Sequence, residues 1–295
     1  MSDRLPGYRV LETLGYGAHS KISAAAELIT GKRVAIKHVV RTSAEHDRFV
    51  EQVETEYQVG SLFEHPNLRR SLHIHRVRGL LQVKEVYLIL ELIEGLSLDK
   101  ARPNRLNTFL TLFQKVAAGL QALHDSGWVH TDLKPINIML ARKGVVKVID
   151  FGQACPIGHK KSRIQGTPDY IAPEQVRRLP IDVRTDVFNF GATMYWVLTS
   201  ENYPTEIRGE DARTGAKLTS ADRPLAPNEW NDKIPLALSN LVMECCRGNP
   251  GDRPADMKQV SSRLAMIQKL WQKQRETVRE QRLGSNPSSI INLES

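Results

Sequence analysis

The sequence is poor in the features that mark secreted or membrane-spanning chains. It holds only three cysteines in 295 residues, Cys155, Cys245 and Cys246. An odd and sparse set cannot build a disulfide framework, so a reducing compartment is expected. Two of the three are adjacent, which is no metal-ligand spacing; buried small hydrophobes are the expectation. No stretch reaches the roughly 18–20 apolar residues that a membrane span needs, and the opening residues lack the apolar core of a signal peptide. The chain is therefore expected in the cytoplasm, with no membrane span. Repeats and low-complexity tracts are also missing, apart from a polar tail after Arg282.

Hydrophobic residues make up 41% and charged residues 25%, which is the ordinary range for a globular chain long enough to bury a large core. The formal charge is +8. Much of it is local. Residues 258–282 carry seven Lys or Arg against two Glu, and residues 69–78 contain four Arg and no acid. Such charge suits an acidic protein partner, for the C-terminal helix above all. No nucleic-acid motif accompanies it, so nucleic acid is not expected. The run 69–78 reads as a solvated surface.

Along the chain, the pattern changes once. Residues 8–14, 21–27, 33–39 and 83–92 are short and β-rich, separated by turn residues. Residues 43–63 read as one helix, with Phe49, Val53, Val59 and Leu62 near helical spacing and His65-Pro66-Asn67 as the stop. Beyond Glu94-Gly95 the pattern is helical. Residues 106–125 place Phe109, Leu112, Phe113, Val116, Leu120 and Leu123 on one face. Further helices are expected at 185–199, 236–246 and 255–281, with a long loop over 200–235 that has room for at most a short helix. The expectation is an α+β, bilobal molecule: a small β-rich lobe (8–92), a hinge at 91–96, and a larger helical lobe (97–268). A basic helical extension and polar tail occupy 269–295.

Four segments carry chemistry. Gly15-Tyr16-Gly17 lies between two strands, where two glycines let backbone N–H groups approach phosphate oxygens. Lys37 ends the apolar run Val34-Ala35-Ile36, so its stem is buried and its ammonium needs an anionic partner. Asp132, Lys134 and Asn137 fall within six positions of a loop, offering a carboxylate for a hydroxyl proton, an ammonium for a phosphate and an amide oxygen for a metal. Asp150 follows the apolar strand 145–149 and precedes Phe151-Gly152; oxygen ligands of this kind suit Mg²⁺.

Taken in order, these segments resemble the eukaryotic-type serine/threonine protein kinases. The resemblance also takes in Gly166-Thr167-Pro168 ahead of Pro173-Glu174, Asp186 at the head of an apolar helix, and Arg253 before Pro254. It implies the bilobal kinase fold, ATP and Mg²⁺ as ligands, and a protein substrate with a Ser or Thr acceptor. Lys37 is then expected to hold ATP phosphates and to pair with Glu56. Asn137 and Asp150 are expected to bind Mg²⁺, Asp132 to accept the hydroxyl proton, and Lys134 to stabilise the transferring phosphoryl group. Gly15 and Gly17 would cover the phosphates. Ile22, Ala35 and Met139 would pack on adenine, beside the Glu91 carbonyl and Ile93 amide, with Leu90 as gatekeeper. Glu174 and Arg253 would form an ion pair, and His130 and Phe151 an internal spine. Lys134 and Gly166-Thr167 resemble the serine/threonine branch.

Three positions depart from that pattern. Ser20 stands where a third glycine is usual. Thr131 replaces the Arg that ordinarily precedes the catalytic Asp and binds a loop phosphate. Activity is therefore expected not to require phosphorylation of the loop, which carries Lys160, Lys161 and Arg163 around Ser162. Gly60 falls where a bulky apolar residue is usual. Two accounts of it compete: a close approach of backbone or of a side chain such as Phe63, or a gap that leaves its helix loosely held. The gap is the favoured expectation.

Overall fold

The computed structural model describes residues 5–17, 19–79, 82–207 and 224–284. The N-terminal part is an antiparallel sheet built from β1 (Tyr8–Gly17), β2 (Ser20–Glu27) and β3 (Arg33–Val40), a helix α1 (Asp47–Gly60), and the strands β4 (Ser71–Arg78) and β5 (Val83–Glu91). The strand order is β1-β2-β3-β5-β4. Val39, Ala35, Val86, Leu88 and Leu90 of the sheet bury against Phe49 and Val53 of α1. The basic run 69–78, read as solvated surface, forms β4 at the sheet's edge; His73, His75, Arg76 and Arg78 are exposed, whereas Arg69 and Ser71 are buried.

The rest of the chain is mainly helical. The strand β6 (Gly95–Ser97) leads to α2 (Leu106–Asp125), followed by β7 (Trp128–Val129), β8 (Ile138–Ala141), β9 (Val145–Val148) and β10 (Cys155–Pro156). Then come α3 (Pro173–Val176), α4 (Val183–Thr199), α5 (Pro227–Trp230), α6 (Leu236–Cys245) and α7 (Met257–Gly284). The short helix α5 is the one the sequence allowed within 200–235; residues 208–223 of that stretch lie outside the described residues. The expected apolar face of α2 is buried, and Gly127, at φ +82°, turns the chain out of the helix. Asp182 caps α4 by accepting from the Arg184 N–H at 2.7 Å. Each fully buried Leu or Phe of this core contributes about 1.5–3 kcal/mol relative to exposure.

Two contacts fix the halves against each other. Leu68 bridges Val148, and the Arg69 N–H donates to the Val148 carbonyl at 3.0 Å, so the entrance to β4 is tied to the end of β9. Phe63 and Leu68 join the helical core with Phe151. Among the described residues, no helix is long and apolar enough to cross a membrane.

The expected gap at Gly60 is not there. A Cβ on Gly60 would strike the Ser71 hydroxyl and lie 3.0 Å from the Ser71 Cβ and 3.2 Å from its nitrogen. The close neighbour is Ser71 of β4, not Phe63. The sequence misled because bulk at Val59, Leu62 and Phe63 says nothing about how near a strand passes on the remaining face. The Ser71 hydroxyl also donates to the Glu56 carbonyl at 2.9 Å, which draws α1 onto β4.

Candidate active site

Strand β3 carries Lys37 to the junction of the two halves, and α1 carries Glu56 to meet it. Lys37 Nζ donates to Glu56 Oε2 at 2.6 Å and to Asp150 Oδ1 at 3.2 Å. Glu56 is fully buried, and its other oxygen accepts from Arg69 Nη2 at 2.7 Å. One carboxylate therefore bridges two cations, and Asp150 supplies the second negative charge. Burial works against the Lys37 ammonium, yet Asp150 and Glu56 hold its pKa above the ordinary lysine value. Burial alone would raise the Asp150 pKa; Lys37 and then Arg69 override it and hold the carboxyl well below the usual range. Asp150 is a lone left-handed residue, φ +65°, at the end of the strand that leads to Phe151-Gly152.

The loop after β7 supplies the second cluster. Asp132 Oδ2 accepts from Lys134 Nζ at 2.9 Å, and Asp132 Oδ1 accepts from the Thr167 hydroxyl at 2.8 Å. Lys134 Nζ also donates to Thr167 Oγ1 at 2.5 Å. The Asn137 amide nitrogen donates to the Asp132 carbonyl at 2.9 Å. The Asn137 carbonyl accepts from the Ile149 N–H at 2.9 Å, which brings Asn137 and Asp150 to one end of the β8–β9 pair. The Asn137 amide and the Asp150 carboxylate are hard oxygen donors, and the second is held ionised; this set fits Mg²⁺.

Two cavities line the junction. One, of about 270 Å³, is lined among others by Gly17, Ile22, Lys37, Asp132, Lys134 and Asp150, and Ser20 opens onto it. The other, of about 940 Å³, follows the segment Glu91 to Leu96 and includes Leu14 and Ala24. The expected residues Glu91 and Ile93 therefore line the larger cavity, and Gly17, Ile22 and Lys37 the smaller. Gly15, Ala35 and Met139 line neither; Ala35 is packed in the core between sheet and α1, and Met139 pairs with Ser97 in the β6–β8 ladder. Leu90 is buried opposite Ala35. The His130 ring meets Phe151 edge-on at 5.7 Å. Arg253 grips Glu174 with two bonds, at 2.7 and 2.9 Å.

Three residues near the site escaped the sequence reading. Arg69 was counted with a surface run, but it is buried just ahead of β4, and its side chain ends on Glu56. Lys161 was counted as loop charge but is buried, with Nζ donating to Thr131 Oγ1 and to the Gln153 carbonyl, both at 2.7 Å. Gln175 donates from Nε2 to the Thr131 carbonyl at 2.8 Å. Asp186 anchors the same loop from α4, accepting from the His130 and Thr131 N–H groups at 2.8 Å each and bonding His124 at 2.8 Å.

A sheet with one helix, stacked on a helical half, with a Lys–Glu–Asp bridge and a second Asp–Lys pair at the junction, defines the protein kinase class of fold. A family model described as the protein kinase domain matches residues 8–265. A probable serine/threonine-protein kinase of Clostridium acetobutylicum is 26% identical over 271 residues, covering 88% of this chain and 40% of that protein. Another, from Corynebacterium efficiens, is 29% identical over 275 residues, covering 88% and 41%. Sperm motility kinase 2B of Mus musculus is 33% identical over 256 residues, covering 84% and 49%. The chain belongs to the protein kinase family, in its serine/threonine branch. It spans less than half the length of these relatives.

Proposed function

We propose that the chain transfers the γ-phosphate of ATP to serine or threonine hydroxyls of a protein substrate. The observation that carries this reading is the bridge from Lys37 to both Glu56 and Asp150, at 2.6 and 3.2 Å, on the wall of the cavity that Asp132 and Lys134 share. A lysine held so can turn its remaining charge to the α- and β-phosphates. Mg²⁺, held by Asp150 and Asn137, would supply charge neutralisation for the phosphate oxygens.

The remaining work falls to the loop. Asp132 takes the proton of the acceptor hydroxyl as its oxygen bonds to the γ-phosphorus; the bond to the β-bridging oxygen breaks and ADP leaves. Lys134, beside Asp132, balances charge on the moving phosphoryl group. Thr167 closes the triangle and orients both. Gly17 covers the phosphates beside Ile22, and the Glu91 carbonyl and Ile93 amide, on the larger cavity, face the edge of adenine. The kinase domain runs over 8–268 in this reading, and 269–295 is a basic extension with room for an acidic protein partner. Three unpaired buried thiols support a reducing compartment, the cytoplasm.

The test is transfer of label from γ-labelled ATP with Mg²⁺ to a generic basic protein, followed by identification of the phosphorylated residue. Phosphoserine or phosphothreonine is expected. No transfer at any Mg²⁺ concentration, or phosphotyrosine alone, overturns the reading.

A further inference from the structure

Thr131 is heavily restrained. Its backbone is left-handed, φ +64°, which is a costly conformation for a β-branched side chain and persists only where the surroundings impose it. Each of its polar atoms is engaged. The N–H donates to Asp186 Oδ1 at 2.8 Å, the carbonyl accepts from Gln175 at 2.8 Å, and the hydroxyl donates to the Gln153 carbonyl at 2.8 Å. The hydroxyl also accepts from Lys161 at 2.7 Å, and Lys161 reaches the same Gln153 carbonyl at 2.7 Å. Lys161 is only 7% exposed.

A lysine buried against two neutral oxygens is unusual, because an ammonium taken from water costs several kcal/mol unless paired. Burial lowers its pKa, and Cys155, then Asp132 and Asp186, act in the opposite direction. Its neighbours in sequence, Lys160, Ser162 and Arg163, are all exposed. Position 161 is therefore singled out: beyond the buried Ala154 and Cys155, the charged side chain of Lys161 enters the interior and ends on the residue next to Asp132.

We propose that Lys161 is a positioning residue that clamps this segment to the catalytic loop through Thr131 and Gln153, and so holds Asp132 in place without a phosphate. The inference rests on the kinase reading above. It assigns the clamp to a cation on the segment after Asp150-Phe151-Gly152 and a hydroxyl on the catalytic loop. Charge added at the exposed Ser162 is not part of it. Residues 155–159 stay tied to β7 and to Ile181; release of the clamp frees the segment 160–166 and lets Thr131 relax. The Asp132 carboxylate then shifts while Lys37, Glu56 and Asp150 stay as they are.

The experiment compares phosphatase-treated wild type with Lys161→Met, Thr131→Val and the double variant. It reads kcat and ATP KM on a generic basic protein, thermal midpoint, and the rate of proteinase K cleavage within 160–166. A displacement of this order in a catalytic group costs on the order of tenfold to a hundredfold in kcat. We expect that loss in each single variant, with ATP KM within about threefold and faster cleavage. The double variant should be no worse than the poorer single one, because both remove one interaction. Full kcat with unchanged cleavage in Lys161→Met overturns the proposal, and so do losses that multiply in the double variant. Should Lys161→Met not fold, Thr131→Val decides, since it keeps the lysine and its bond to Gln153 but removes the hydroxyl that ties it to the catalytic loop; wild-type kcat there overturns the clamp. A wild type that transfers no phosphate fails the kinase reading instead, and protection from cleavage alone then judges the clamp.

Discussion

Arg69 and Lys37 hold opposite oxygens of one buried carboxylate, Glu56, at 2.7 and 2.6 Å. The arrangement makes each cation a stabiliser of the other's partner. Lys37→Met should therefore fold well, because Arg69 still neutralises Glu56, while transfer activity is lost. Lys37→Met with Arg69→Leu strands a fully buried carboxylate, which costs about 3–5 kcal/mol. Urea unfolding of the two variants checks this. Equal stability in the single and double variants would show that Arg69 does not hold Glu56.

Gly60→Ala should destabilise. The added methyl meets Ser71, whose hydroxyl is committed to the Glu56 carbonyl and cannot swing away freely. Overpacking of this kind costs about 1–3 kcal/mol, against a gain in helix propensity of about 0.5–1 kcal/mol. The net loss should appear as a lower thermal midpoint and lower activity. A higher midpoint would restore the gap that the sequence alone favoured.

The pH dependence of stability follows from two kinds of group. Asp150 is ionised below its ordinary range in the folded chain, so its contribution is present above the unfolded carboxylate pKa of about 4 and is lost as pH falls from there. Burial pushes the Cys245 thiol up to about 12 and the Cys155 thiol up to about 11. A raised thiol favours the fold fully below its unfolded pKa of about 8.5, and that contribution is lost as pH rises towards the folded values. Unfolding free energy should hold level between about pH 5 and 8 and decline on both sides. Thiol reagents should titrate few of the three cysteines at pH 8 in the native protein and all three in denaturant. Rapid reaction of all three in the native state would contradict their burial.

What was readable in the sequence, and what was not, divides along physical lines. Lys37, Asp132, Asn137 and Asp150 each sit in a short segment with its own strand or turn signal, and it was the resemblance of those segments, taken in order, to the serine/threonine kinases that implied they would meet. Glu56 was likewise named by the resemblance, and the structure pairs it with Lys37. Arg69, Lys161 and Gln175 were not found, because each is functional only through a contact remote in sequence: Glu56, Thr131 and Gln153, or Thr131. Charge reads as surface until a buried partner is known. Gly60 failed for the same reason, since nothing in α1 tells how close β4 will pass.

Helix α7 docks through its first half. Met257, Val260, Leu264 and Ile267 are buried, and Gln268 and Gln272 bond to Asn107 of α2 at 2.8 and 2.9 Å. Met266 and Leu270 are more than half exposed. Truncation after Lys273 keeps all of these contacts, and should shift the thermal midpoint by less than about 2 °C, under about 1 kcal/mol, with kcat unchanged. Aggregation or a large drop in midpoint would mean that the distal half contributes to the core.

The central claim turns on Asp132, bracketed by Lys134 at 2.9 Å and Thr167 at 2.8 Å. The most direct measurement is the rate of phosphate transfer from ATP–Mg²⁺ to a generic basic protein by Asp132→Asn beside wild type, with nucleotide affinity measured on both. The account predicts a kcat lower by about 10²–10⁴ with nucleotide affinity retained. Near-normal turnover in a folded Asp132→Asn protein would contradict it.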